Sequence, residues 1–270
     1  MEKVQFTEER ETMLGTLYGR ALDARRSDPV LGDTAADEAV RRIDYDFARL
    51  GVNQDTAMSV VSRARAMDEL ACAWLAEHPD AVVLHLGCGM DTRVFRLDPP
   101  PTVHWFDVDY PDVIALRERL YPQRPGYSTI GSSVTDFTWL ERIPAEHPAL
   151  IVAEGLTMYL TPADGAELMR RLVGRFPSGL LVCDFFSTLG IRAQLLNPVV
   201  RRANAKLHWG IDDPHELERY GLHLVSCLDA TDWAAGDVVA RLPVASRLAL
   251  RASALIPALR RMGRIGEWRF

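Results

Sequence analysis

Two glycines and two acids stand at a spacing that suits a nucleoside. A short, mainly apolar run, Ala81-Val82-Val83-Leu84-His85-Leu86, leads straight into Gly87-Cys88-Gly89. Glycines one residue apart let a chain turn tightly and approach a ligand with no Cβ in the way. A second such run ends in Trp105-Phe106-Asp107-Val108-Asp109, and a carboxylate about 20 residues after the turn is placed to accept hydrogen bonds from ribose hydroxyls. A dinucleotide fingerprint needs a third glycine three residues after the second, and that position is Thr92. A nucleoside ligand without phosphate therefore fits better than NAD, although Gly-x-Gly also serves as a plain strand-to-helix turn. Glu154 follows Ile151-Val152-Ala153, where an unpaired carboxylate would be costly to bury, so a cationic partner is expected. Asp91 and Arg93 are expected to pair and brace the glycine turn.

Strands must carry these residues, and the pattern supplies them. Strands are expected over 81–86, 103–108, 127–130, 149–153, 180–186, 222–227 and 266–270. Helical periodicity covers 58–77 before the first strand, with Met67, Leu70, Ala71, Trp74 and Leu75 on one face, and 111–120 between the second and third. Thr161-Pro162 opens a helix as N-cap and first helical position. Arg-rich helical sequence follows to about Lys206, and a late helix is expected over 247–261. The alternation predicts an α/β fold with a mostly parallel sheet wrapped by helices on both faces. Before it come a helix marked by Leu14, Leu17, Tyr18 and Ala21, a loop at 28–33, and a helix over 37–50 that stops at Gly51. Residues 1–58 thus read as a helical cap, with 59–270 as the ligand-binding domain and 187–215 as a helical insertion.

A chain of 270 residues with 48% hydrophobic and 25% charged residues can bury a sizeable core. A net charge of −6 and a pI near 5.7 argue against a nucleic-acid substrate. Cys72, Cys88, Cys183 and Cys227 form no Cys-x-x-Cys pair, which suits reduced thiols and a cytoplasmic setting. No Cys/His cluster has metal spacing, and no apolar run is long enough to span a bilayer. Oligomeric state is not encoded in any feature of the sequence.

Leu86-Gly87-Cys88-Gly89-Met90-Asp91-Thr92-Arg93, with Phe95-Arg96-Leu97 after it, resembles the leucine carboxyl methyltransferase family. The resemblance is to its bacterial branch of tetracenomycin-type polyketide O-methyltransferases. It extends through Trp105 to Pro111, Ser132 to Trp139 and Val152 to Leu160, covering about 60–175. It implies a Rossmann-like class I methyltransferase fold with a seven-stranded sheet, and S-adenosylmethionine as cofactor. Carried over by motif, it implies that Arg63 pairs with the cofactor's methionine carboxylate, Arg65 being the competing candidate. Gly87, Cys88 and Gly89 would line the methionine and ribose. Asp109, with Asp107 beside it, would bind the ribose, and Ser133 and Val134 would meet the adenine. Glu154 would face the ammonium, and Tyr159 would lie near the transferred methyl as the catalytic candidate. No metal is implied.

The resemblance thins at both ends, so the N-terminal helices and the segment after Phe186 are expected to build the acceptor pocket. Tyr18, Arg20, His208 and Trp209 are its candidate residues. A carboxylate acceptor, with reference pKa near 4, arrives ionised and needs no general base, whereas a phenol near 10 benefits from one. No His or acid sits in a convincing base motif. The expected function is O-methylation of a small-molecule carboxylate. A phenolic acceptor is the alternative, and a non-catalytic S-adenosylmethionine-binding regulator is the alternative of another class.

Overall fold

In the computed structural model, which describes residues 1–4, 6, 8–233 and 237–270, seven strands form one sheet. They are β1 (Val82–Leu86), β2 (His104–Asp109), β3 (Tyr127–Gly131), β4 (Ala149–Ala153), β5 (Gly179–Phe186), β6 (His223–Asp229) and β7 (Gly263–Arg269). Their spatial order is 3-2-1-4-5-7-6. The first five run parallel, and β7 is antiparallel to both β5 and β6. Every residue of β1 and β4 is buried, as expected of parallel strands covered on both faces. Alternate residues divide between two cores. Val82, Leu84 and Leu86 face one with Leu168 and Leu172, while Val83 faces the other with Met67, Ala71 and Trp74.

The helices follow their local signals. Helix α1 spans Glu9–Ala24, α2 Thr34–Arg42, α3 Gln54–Glu77, α4 Arg93–Leu97, α5 Pro111–Leu120 and α6 Pro162–Arg175. Asp33 caps α2, Asn53 caps α3 and Thr161 caps α6, each side chain accepting a backbone N–H in the first turn. The expected helix over 37–50 is broken. It ends at Arg42, Ile43–Asp44 pairs with Glu2–Lys3, and a 3-10 turn over Phe47–Leu50 stops at left-handed Gly51. The proposed boundary at residue 58 falls inside α3, which starts four residues earlier because Asn53 caps it. The late helix is likewise two pieces, Val244–Ala254 and Pro257–Arg260, since Pro257 cannot continue the first.

Helices α1 and α2 form a small core of their own from Leu14, Leu17, Ala21, Ala36 and Ala39. That core also includes Met90 of the glycine turn and Leu116 and Leu120 of α5. After β5 come two one-turn helices, α7 (Thr188–Arg192) and α8 (Pro198–Arg202). A Cβ on Gly15 of α1 would lie 2.8 Å from Val199 Cγ1, so α1 and α8 touch with little room to spare.

Candidate functional site

Strand order reverses between β1 and β4, and in such sheets ligands bind beyond the carboxyl ends at that point. A cavity of about 940 Å³ opens there. Its floor is Gly87-Cys88-Gly89, with φ of 61° at Gly87 and 48° at Gly89, values that L side chains rarely adopt. A Cβ at either glycine would come within 3.0 Å of a neighbouring side chain, Leu156 or Met13 respectively. Asp109 borders the cavity from the end of β2, and its two oxygens accept from Gly89 N and Tyr110 N, both at 2.7 Å. Burial raises its carboxyl above the usual range against those two N–H donors.

Asp107 does not share that position. One strand residue faces the cavity and its second neighbour faces the same way, but Asp107 sits inward of the rim, is fully buried and lies outside the lining. It accepts from His85 Nδ1 (3.0 Å), Trp105 Nε1 (2.8 Å), Tyr127 OH (2.7 Å) and Arg117 Nη2. Burial would raise its carboxyl, yet Arg117 and His85 outweigh this and hold it at about 2. Arg117 Nη1 also donates to the carbonyls of Gly89 and Asp91, at 2.8 and 2.7 Å. Asp107 thus acts on the glycine turn through Arg117 instead of meeting a ligand.

A chain of ion pairs closes the other side. Arg63 of α3 lines the cavity and donates to Glu154 Oε1 (Nη2 at 3.0 Å) and Asp184 Oδ2 (Nη1 at 2.8 Å). The second oxygen of Glu154 accepts from Arg93 Nη2 at 2.5 Å. Burial would raise Glu154, but Arg63 and Arg93 prevail and hold it at about 2. Asp184 is raised by burial even though Arg63 and the Gly155 N–H, at 2.6 Å, oppose that. Arg65 points elsewhere, to Glu69 at 3.1 Å on the surface of α3, and is absent from the lining. Arg93 meets Asp68 at 2.5 Å and Asp91 at 3.4 Å, so it joins the turn to α3 and β4 together. Arg96 ties Asp91 (2.7 Å) to Asp33 (3.1 Å), and Asp33 also accepts from Thr92 Oγ1 (2.5 Å) while capping α2. Asp91 borders the cavity, and its Oδ2 is buried with no hydrogen-bond partner among the described residues.

The remaining candidates divide. Cys88, Ser133, Val134, Tyr159, Arg20 and His208 line the cavity. Burial pushes the Cys88 thiol well up, which leaves it neutral. Tyr159 OH lies 3.2 Å from Thr12 Oγ1 of α1. Arg20 is buried with Nε 3.5 Å from Asp33, at the back of the wall. Tyr18 and Trp209 are corrected: neither lines the cavity. Tyr18 stacks on Phe47 at 5.2 Å inside the cap, and Trp209 fills the space over Gly165 of α6, where a Cβ would come within 2.0 Å of its ring.

Sequence reading missed Asp184, Asp33 and Arg117. Asp184 is embedded in the apolar run of β5, where the only available signal is an acid in a buried strand needing a cation. Asp33 falls in the loop expected over 28–33 and Arg117 in the helix expected over 111–120, and no local feature marks out either one.

The donor set fits S-adenosylmethionine. The glycine turn offers bare backbone, Asp109 could accept from a ribose, and Glu154 with Asp91 Oδ2, which has ion-pair neighbours but accepts no hydrogen bond among the described residues, offers negative charge to an ammonium. Arg63 keeps N–H groups beyond those donated to Glu154 and Asp184 for a carboxylate.

Comparison with known proteins agrees. A family model for leucine carboxyl methyltransferase matches residues 13–173. The chain is 50% identical over 217 residues to the tetracenomycin polyketide synthesis O-methyltransferase TcmP of Streptomyces glaucescens, covering 80% of each chain. It is 34% identical over 239 residues to the S-adenosyl-L-methionine-dependent methyltransferase dpfgK of Gibberella zeae, covering 81% of this chain and 80% of that one. In fold it is similar to a DUF574 family protein of Streptomyces avermitilis, with TM-score 0.60, 15% identity and 97% of each chain covered. It is also similar to the magnesium protoporphyrin IX methyltransferase ChlM of Synechocystis, solved with bound S-adenosylhomocysteine, with TM-score 0.51, 12% identity and coverage of 88% and 94%.

Proposed function

Because the chain belongs to the leucine carboxyl methyltransferase family and is an S-adenosylmethionine-dependent methyltransferase, we propose that it methylates oxygen on a small-molecule carboxylic acid of polyketide type. The polyketide class is taken from the likeness to TcmP. The observation that carries the carboxylate is the state of the interior acids. Asp91, Glu154 and Asp184 are each paired with arginine, and Asp109 accepts from two backbone N–H groups. Each is engaged within the protein instead of standing as a free base at the cavity wall, which suits an oxygen that arrives already ionised.

S-adenosylmethionine, when bound, supplies a methyl group on positively charged sulfur for in-line transfer to oxygen. Arg63 would hold its carboxylate, Glu154 and Asp91 its ammonium, Asp109 its ribose, and Ser133 and Val134 its adenine. Tyr159, on the turn after β4, would border the reacting oxygen. The protein's contribution is then alignment, worth at best roughly 7–11 kcal/mol. Helices α1 and α8, which meet over the cavity at Gly15 and Val199, would exclude water and so strengthen the field of these charges.

A phenolic acceptor has one observation in its favour: the imidazole of His208 on the cavity wall could take a proton. The two readings separate chemically. Hydroxylated aromatic acids are incubated with methyl-labelled cofactor, and the product is treated with mild hydroxide. A methyl ester releases its label as methanol, whereas an aryl methyl ether keeps it. A base-stable product would overturn the carboxylate.

A further inference from the structure

The cavity wall between α8 and Trp209 holds a distinct kind of cation. Four arginines that line the cavity are engaged: Arg10 with Asp112, Arg20 with Asp33, Arg63 with Glu154 and Asp184, and Arg264 with the carbonyls of Ile211 and Asp212. Lys206 lines the same cavity and, among the described residues, makes no ion pair or hydrogen bond. Of 31 basic residues only Lys3 and Lys206 are lysines. A lysine is a compact charge on a flexible stem, suited to meeting a ligand instead of bracing a lattice.

The backbone around Lys206 presents it by design of register. Ala203, Ala205, Leu207 and Trp209 are buried, whereas Asn204, Lys206 and His208 are exposed and line the cavity. This alternation is that of an extended segment. It starts at Asn204, whose φ of 54° is left-handed, a conformation asparagine tolerates. The segment is pinned at three points. Leu207 N donates to Gln194 Oε1 at 2.9 Å, Gln194 Nε2 donates to Leu207 O at 3.4 Å, and His208 N donates to Met158 O at 2.7 Å. Met158 adjoins Tyr159, so the strip is anchored to the turn that carries the catalytic candidate. Its backbone is held by these bonds, and the tips of its three polar side chains have no partner among the described residues.

The geometry points to Asn204, Lys206 and His208 as the strip that selects the acceptor, with Lys206 binding an anionic group on an oxygen-substituted molecule. This rests on the reading of the cavity as a methyltransferase site. The apolar body of such a molecule is matched by Phe186, Leu196, Val199 and Val200, which line the same side. Asp55, Asp164 and Glu8 line the same cavity, and none of them forms an ion pair with Lys206. Asn204 and His208 supply hydrogen bonds to oxygen substituents. Selection by a group that pairs a charge on the ligand falls on acids against their neutral isosteres.

The test uses the full chain saturated with S-adenosylhomocysteine and two probe pairs, 3-hydroxy-2-naphthoate and anthraquinone-2-carboxylate, each against its primary amide. Calorimetry should show each acid bound at least tenfold more tightly than its amide. Lys206→Met should abolish that preference by weakening the acid alone, and Lys206→Arg should restore most of it. Equal binding of acid and amide by the wild type, no binding of either acid, or an undiminished preference in Lys206→Met would each overturn the proposal. A prior titration with S-adenosylhomocysteine keeps the two levels apart. Its failure would remove the methyltransferase site itself, whereas normal cofactor binding with unchanged acid preference would remove the strip alone.

Discussion

Arg117 and Asp107 form a buried ion pair beneath the glycine turn, and neither side chain reaches the cavity. Arg117→Met would leave Asp107 charged and short of a partner, and would release the carbonyls of Gly89 and Asp91. Breaking one side of a buried pair costs roughly 3–5 kcal/mol. The variant should melt well below the wild type and bind S-adenosylhomocysteine more weakly. The double variant with Asp107→Asn should be less impaired than the sum of the two single changes. Wild-type stability in Arg117→Met would sink this account of the turn.

Arg63 and Arg65 stand two residues apart on α3, yet one faces Glu154 and Asp184 and the other Glu69. Arg63→Met should lower affinity for S-adenosylhomocysteine by about 1–3 kcal/mol, the scale of charge-assisted hydrogen bonds. Arg65→Met should change it by less than about 0.5 kcal/mol, as an exposed i,i+4 pair would. Titration calorimetry on both variants decides, and equal losses would contradict the geometry.

Acid should unfold the protein through Glu154 and Asp107. Both carboxyls are held at about 2 in the folded chain, below their ordinary values near 4. A depressed folded value means stability that is present above the unfolded value and lost as pH falls toward 2. Each contributes on the order of 2–4 kcal/mol at neutral pH. Asp109 and Asp184, raised by burial, act oppositely: the stability they add when protonated is lost as pH rises through their folded values. Urea midpoints should therefore drop between about pH 4.5 and 2, and the drop should shrink in Glu154→Gln. A midpoint independent of pH across that window would count against the ion lattice.

Gly15 offers a way to loosen the roof without touching charge. A Cβ there would lie 2.8 Å from Val199 Cγ1, and a β-branched valine has little freedom to yield. Gly15→Val should part α1 from α8, lower the rate of methyl transfer and leave cofactor affinity within about twofold, a few tenths of a kcal/mol. Steady-state rates alongside cofactor titration separate these effects. A variant that transfers methyl at the full rate would show that the contact between α1 and α8 is dispensable.

The parts legible in the sequence were those whose signal is local. Strands β1 and β4 are continuous apolar runs because the sheet covers them on both faces, and Gly87, Gly89 and Asp109 follow directly from turn and strand end. The misread parts depend on partners distant in sequence. Asp184 meets Arg63 across 121 residues, and nothing near Asp184 announces that pairing. Tyr18 and Trp209 have the right chemistry for a pocket, but Phe47 and Gly165 claim their rings. The helix over 37–50 failed because Ile43 pairs with Glu2, a contact no periodicity records.

Asp33 gives the cap a mechanical character. One oxygen caps α2, and the other accepts from Thr92 and Arg96 behind the glycine turn. Swinging α2 away would strand Arg96 and Asp33 in an interior that solvates neither. The Ala36 amide and the Gly89 amide should consequently exchange their protons with solvent through one shared opening, not two. Acceptor entry then falls to the opposite wall, beside residues 204–208, whose backbone bonds run to Gln194 and Met158 and not to the glycine turn.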